Sequence, residues 1–422
     1  MIGSVLFFNF IKSKEFRNKA FVTFFYLLLF RLGSFITLPG IDISKVKAGT
    51  DSGIFSILDI FLREFFSHLS VFGLGVMPYI SASIIINLAS LLFASLNKKN
   101  KDGASGHFYI KRLTKYLTVV ISVIHSIALL SYSVEDAILL IDKRLFVFVS
   151  VFLLTAGSLA CIWIGERITD YGLGGNGISL LILVGIVSSL PRDIYYEYNY
   201  IEQNVVHLIF EILLLFCVII IMIYLYYVKR CITTYIVSGD ISYENFLSNN
   251  ERLALPLLAS SAMPIIFAQV FLFFLAFIFK FLREYISLAG DIYDILLNNM
   301  SYKYCIILSI LIVLFNYFNI SINFNSKNIA HNLQNGNFIV SGHRPGTPTA
   351  EYIESILEYL LLFSSVILVI LSILPVVVHN FGVSKELSKF YGGTSMLIAI
   401  PVVLEFWYYL NNEWNLYCQD KY

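Results

Sequence analysis

Val71–Ser90, VFGLGVMPYISASIIINLAS, is the stretch whose reading decides the fold. It is apolar enough for a bilayer, yet Gly73, Gly75 and Pro78 break its first half. Ser81, Ala82 and Ser83 are small, and the run Ile84 to Ile86 ends in an amide, Asn87. A lipid-facing span needs neither the proline nor the small polar residues. A span that meets other helices closely, or lines a cavity, uses both. Just before it, Ile54 to Leu69 is apolar but carries Asp59, Arg63, Glu64 and His68, too much charge to cross a bilayer. Together they read as one discontinuous span, a half-helix followed by an intact helix. Such arrangements tend to lie where a membrane protein handles its substrate.

The rest of the chain belongs to the same environment. Of its 422 residues 58% are hydrophobic and 14% charged. No soluble fold hides that much apolar surface, so the fold class is all-α and polytopic in the membrane. A net charge of +1 does not suggest a nucleic-acid binder. Cys161, Cys217, Cys231, Cys305 and Cys418 are scattered, with no CxxC, so neither a disulfide framework nor a zinc site is expected, and no cofactor is expected either. Lys12, Lys14, Arg17 and Lys19 precede a full-length span, which argues against a cleavable signal peptide.

Ten spans follow from hydropathy: Phe21 to Leu38, Val71 to Phe93, Tyr116 to Tyr132, Leu145 to Ile164, Ile178 to Leu190, Val206 to Val228, Leu255 to Ile278, Tyr304 to Ile322, Ile353 to Val376 and Thr394 to Leu410. With the N-terminus inside, 17 of the 29 Lys and Arg fall on the inner side and 12 on the outer, which obeys the positive-inside rule. Both termini, residues 1–20 and 411–422, are then cytoplasmic. Long polar loops at about 229–252 and 323–349 are cytoplasmic too. Pro78 in the second span and Pro264 in the seventh sit in similar contexts, MPYI and MPII, five spans apart. That spacing suggests two halves of five spans, residues 21–205 and 206–410, of opposite orientation.

Ionisable residues inside spans are Arg31, His125, Glu211 and Glu405. Three lie near span ends, where they can reach headgroups, and His125 alone near mid-span reads as packing before it reads as a proton relay. HExxH, GxSxG and Walker sequences are all missing, so no reaction is assigned and the protein is not read as an enzyme. A secondary transporter for a small solute is the alternative reading. It requires a midplane ion or solute site, and none is visible.

Gly172 to Ser179, GLGGNGIS, makes a closely approachable turn at the entrance to the fifth span. Ile178 and Ile182 share one helix face behind it, as Val76, Ile80 and Ile84 do in the second span. Ile266 follows Pro264, and Ile398 follows Gly392, Gly393 and Thr394. Singly, such aliphatics read as packing or lipid contacts. As a set, each lies a few residues from a Gly, Pro or small-residue break.

Five stretches resemble the SecY family, the channel subunit of the general Sec protein translocase. They are FRLGSFITLPGID (Phe30 to Asp42), GLGVMPYISASIII (Gly73 to Ile86), WIGERITDYGLGGNGIS (Trp163 to Ser179), SGHRPGTPTAEYIE (Ser341 to Glu354) and FYGGTSMLI (Phe390 to Ile398). The resemblance runs in order from about Phe21 to Leu410. It implies a clamshell of two five-span halves around an hourglass pore, closed by a ring of Val76, Ile80, Ile178, Ile182, Ile266 and Ile398. It also implies a plug at about 54–69 and a lateral gate of the second, third, seventh and eighth spans, with Asn87 as a polar latch. Arg344 in GHRPG resembles the family's exposed arginine for docking the SecA motor ATPase or the ribosome. The implied partners are SecE-like and SecG-like membrane subunits, unfolded preproteins with signal sequences, and membrane lipid. The implied place is the bacterial inner membrane, with a plastid membrane less favoured. The chain departs from the family in three places. Leu62 to Phe66 reads LREFF where a small Gly-rich stretch is usual, the loop after the sixth span lacks an arginine cluster beyond Lys229 and Arg230, and Gly174-Gly175 carries one extra glycine.

Overall fold

The computed structural model describes residues 13–41, 70–93, 96, 99, 103–133, 140–173, 175–200, 205–236, 250–258, 263–283, 287–298, 301–388, 390–391 and 394–419. In chain order the elements are α1 (Lys14–Ser34), α2 (Met77–Leu92), α3 (Gly103–Ser133), α4 (Lys143–Tyr171), α5 (Gly177–Tyr200) and α6 (Val205–Tyr227). Strands β1 (Lys229–Ile236) and β2 (Asn250–Pro256) follow, then α7 (Met263–Leu282), α8 (Ser287–Leu297), α9 (Tyr302–Asn323) and α10 (Ser326–Asn335). The chain continues through β3 (Phe338–Val340), α11 (Thr347–Asn380), α12 (Lys385–Ser388) and α13 (Thr394–Gln419). Each of the ten apolar stretches expected to span the membrane contains a helix, as a bilayer without water to satisfy the backbone demands. α6 shows the setting most plainly. Ile209, Phe210, Leu213, Phe216, Ile220 and Tyr224 are all exposed, an arrangement that suits acyl chains.

Two spans begin later than hydropathy alone indicates. Val71 to Val76 forms a series of turns, closed by Gly73 N to Ser70 O (3.0 Å), Gly75 N to Phe72 O (2.8 Å) and Met77 N to Leu74 O (3.2 Å), and α2 starts only at Met77. Gly75 holds φ at +51°, a left-handed turn that a side chain would strain. Pro78 then occupies the first turn, where its missing N–H costs nothing. So the proline opens the helix and does not break it. Met263–Pro264 opens α7 in the same way, while Leu255 and Pro256, read as the start of that span, belong to β2.

The described residues gather into two compact units, Met1–Arg192 with Leu272–Asn299 and Pro401–Tyr422, and Asp193–Phe271 with Met300–Ile400. In the first, α2 packs on α3, α3 on α4 and α1 on α4. The segment before α2 is held by Val71 N donating to Ile36 O (2.8 Å) and by a bridge between Thr37 and Ser70. A Cβ on Gly157 of α4 would stand 2.1 Å from Val71 O, so that glycine is what lets α4 meet this backbone.

In the second unit the two loops read as polar connections are knitted into one antiparallel sheet of order β2-β1-β3. Lys229 pairs with Pro256, Thr234 with Glu251 on one side, and Thr234 with Val340 on the other. Ile232 and Thr234 alternate inward while Cys231 and Thr233 face out, the period of a half-buried strand. Ile232, Leu255 and Val340 pack with Ile353, Leu357 and Leu360, which share one face of α11. Burial of that face is what fixes the register across 229–256 and 338–340.

Candidate functional site

The ring candidates lie at helix starts built by local breaks. Val76 caps α2 and Ile80 follows one turn on, with Ile80 N donating to Val76 O (3.2 Å); both are buried. Ile178 and Ile182 lie one turn apart near the start of α5 and are half-buried. Ile266 is in the first turn of α7 and Ile398 in the second turn of α13, both buried. The first four belong to the first unit and the last two to the second.

The turn before Ile178 is set by close backbone approach more than by freedom. A Cβ on Gly177 would lie 2.1 Å from Gly165 O, and one on Gly165 2.8 Å from Ile178 Cγ1. Thr169 Oγ1 donates to Gly165 O (3.0 Å) and accepts from Gly177 N (2.9 Å), stitching α4 to the head of α5. Asn176 Oδ1 accepts from Ser179 N (3.4 Å), and Leu173 N donates to Thr23 Oγ1 of α1 (2.7 Å). Ile178 is thus anchored through its backbone, and its side chain lies against Gly165.

Asn87 is half-buried on α2, and its carbonyl accepts from Ser90 Oγ (2.7 Å). The half-helix at 54–69, including Leu62 to Phe66, lies outside the described residues, as does Gly174.

Arg344 is exposed at the tip of a firmly built turn. Gly342 and Gly346 on either side hold φ at +81° and +101°, conformations that favour glycine. Ser341 N donates to Thr233 O (3.2 Å), His343 N to Val340 O (3.2 Å) and Thr349 Oγ1 to Arg344 O (2.7 Å). The His343 ring stacks on Tyr352 at 4.0 Å between centroids. The arginine is therefore presented from the sheet that carries β1 and β3, a link no local signal announced.

The ionisable span residues fall into ordinary roles. His125 is buried on α3 edge-on to Phe273 (5.6 Å), and its Nε2 has no hydrogen-bond partner among the described residues. Glu211 is buried on α6 and meets His207 Nδ1 at 3.0 Å, while its carbonyl accepts from Tyr391 OH (2.7 Å). Glu405 is exposed on α13, and Arg31 lies over the Phe35 ring at 5.3 Å. No group of three His, Cys, Asp or Glu suited to a metal occurs among the described residues.

Sequence reading passed over Asn316 on α9. It is fully buried and donates from Nδ2 to Ser364 Oγ (2.9 Å) and Ser365 Oγ (2.8 Å) of α11. An asparagine amid apolar neighbours, with a serine pair two spans' length away, was the signal available.

Comparison with known proteins converges on one family. The family model described as SecY matches residues 70–407. A protein translocase subunit SecY of Helicobacter pylori is 33% identical over 415 residues, covering 93% of this chain and 94% of that protein. That of Bacillus subtilis is 30% identical over 416 residues, covering 94% of each. Among solved structures, a protein-conducting channel superposes with a TM-score of 0.68 at 16% identity, covering 96% of this chain and 94% of that one. The channel of a canine ribosome–channel complex from the endoplasmic reticulum gives 0.64 at 16%, with the same coverage.

Proposed function

This chain belongs to the SecY family, and from that premise we propose that six of its aliphatic side chains form the ring that closes a protein-conducting pore. The protein is the channel of the Sec translocase and not an enzyme. It passes unfolded secretory proteins across the membrane and releases transmembrane segments sideways into the bilayer. The observation that carries this function is the family match across residues 70–407.

The ring reading assigns Val76, Ile80, Ile178, Ile182, Ile266 and Ile398 to the constriction. What supports it is that all six are aliphatic, sit near helix starts and are buried or half-buried. A narrow apolar waist expels water and so blocks ions. Aliphatic side chains offer no hydrogen bonds to a passing chain, so many sequences can slide through. Residues 54–69 are the proposed plug. α2, α3, α7 and α9 are the proposed lateral gate, with Asn87 as a latch of about 1 kcal/mol, weak enough for an apolar signal sequence to displace.

Arg344 is the proposed contact for a cytoplasmic partner, the ribosome or a SecA motor. Its rigid, exposed turn favours that role. SecE-like and SecG-like subunits complete the proposed complex. The proposed orientation puts α1 and α13 with their Lys19 and Glu413 ends on the same, cytoplasmic side; what supports the shared side is the pairing of those side chains at 2.9 Å. The proposed place is a bacterial inner membrane.

Depleting the protein should leave secretory precursors uncleaved in the cytoplasm; normal processing would overturn the function. A cysteine at Ile80 or Ile178 should trap a stalled precursor when a motor is supplied. Absence of that adduct, with transport intact, would overturn the ring alone.

A further inference from the structure

We infer that Asn316 is a positioning residue that joins α9 and α11 into one rigid lever, so that force delivered to the β1–β2–β3 sheet and the Arg344 turn reaches α9. The inference rests on the reading of α9 as a gate helix and adds how that helix is driven.

Two polar ties join the antiparallel pair, and a third joins the following helix, α10, to α11. At one end Asn380 Nδ2 donates to Tyr302 OH (2.7 Å). In the middle Asn316 reaches Ser364 and Ser365, with Leu361 O a third acceptor at 3.5 Å. Toward the other end Ser326 Oγ, at the head of α10, donates to Glu354 Oε2 (3.4 Å). From Tyr302 to Asn316 is a step of 14 residues, and from Asn380 back to Ser365 one of 15. From Asn316 to Ser326 is 10, and from Ser364 back to Glu354 is 10. The ties thus follow in the same order along the two segments, and the middle one is the buried one. The Asn380–Tyr302 pair is exposed, where water competes, whereas Asn316 is fully buried and Ser364 and Ser365 nearly so. Breaking the middle tie strands an amide in an apolar medium, so the pair resists sliding.

The other arm of the lever is α11 itself, 34 residues from Thr347 to Asn380, with Pro375 inside it lying beyond Ser364 and Ser365 from the sheet. Its first turns, through Ile353, Leu357 and Leu360, belong to the apolar cluster that includes Ile232, Leu255 and Val340 of the sheet. Arg344 sits on the turn between β3 and α11. A load on that turn is thus applied to the sheet and the root of α11 together, and Asn316 hands it across to α9.

The test uses the full channel complex in vesicles. Spin labels at Ile310 of α9 and Phe363 of α11, both exposed, are placed in a background lacking the five native cysteines, and the distance between them is read with and without docked motor. The parent should give one narrow distance in both states. Asn316→Leu should broaden it, leave motor binding unchanged and lower precursor transport about tenfold, what losing one interhelical amide bond corresponds to. A disulfide formed by Tyr302→Cys and Asn380→Cys should restore transport in Asn316→Leu, a rescue that a simple folding defect would not show. Should Asn316→Leu fail to insert, the pair Ser364→Ala and Ser365→Ala removes the acceptors without added bulk and should broaden the distance likewise. An unchanged distribution, or a transport loss that the disulfide leaves unrepaired, overturns the inference. A parent that moves no precursor overturns the channel reading instead, while the distance measurement still decides the lever.

Discussion

The connecting segments of the two units are held by different forces. In the first unit the ties are charges and bare backbone. Lys111 and Lys115 of α3 hold the two oxygens of Glu166 on α4 at 3.1 and 2.7 Å. Lys19 and Tyr409 share Glu413 at 2.9 and 3.0 Å, and glycine meets carbonyl between α4 and α5. In the second unit the loops are strands sewn to one another and roofed on an apolar cluster with α11. Ion pairs near the surface are adjustable and screened by salt, while a sheet with a dry underside moves as a block or not at all. The role proposed for Arg344, which needs one fixed orientation, suits the second kind of construction.

The sharpest way to break this comparison is Gly177→Val. The new Cβ would meet Gly165 O at 2.1 Å, a backbone atom that cannot rotate away, so the α4–α5 turn should be lost outright. Limited proteolysis and yield in membranes would read it, and a well-behaved Gly177→Val protein would show that the first unit does not depend on that approach. Ile353→Ala comes next. It empties part of the cluster under the sheet and should cost about 2–5 kcal/mol, seen as a lower Tm insensitive to salt. Glu166→Gln should cost only about 1 kcal/mol, because the lysines are half-exposed, and the loss should shrink in high salt. A salt-independent effect there would erase the distinction between the units. The smallest effect belongs to Lys19. Burial alone would lower its pKa, but the hydrogen bond and charge of Glu413 outweigh that and leave it raised. A raised lysine stabilises fully below its unfolded value and ceases to as pH rises through the folded one. Lys19→Met should therefore differ from the parent in the slope of stability above about pH 10.4, where the parent alone loses this contribution. A titration of Tm across that range that gives parallel curves would remove Lys19 from the account.

Helices were legible because a bilayer enforces one solution for any long apolar run, and all ten emerge where hydropathy puts them. Their starts were less so. Leu253 and Leu255 run straight into the apolar letters of α7, so nothing local separates a strand from a span, and only pairing with β1 does. β3 is three residues long and means nothing alone. α8, in the connection between α7 and α9, is only 11 residues long, too short to be read as a span. The turn before Ile178 reads from its glycines as a place of close approach, and the structure puts that approach at Gly165 and Gly177. Asn316 escaped notice because its meaning lies in Ser364 and Ser365, 48 and 49 residues away, and no single helix period connects them.

The pairing of Lys19 with Glu413 spans 394 positions of sequence. A ribosome making this protein must therefore add those 394 residues after Lys19 before α1 can find α13. Until then Lys19 has the exposed Glu15 of its own helix, 3.5 Å away, as a partner. α13 is then the clasp on a unit begun at α1, and a chain cut short before α13 would leave that unit unfastened.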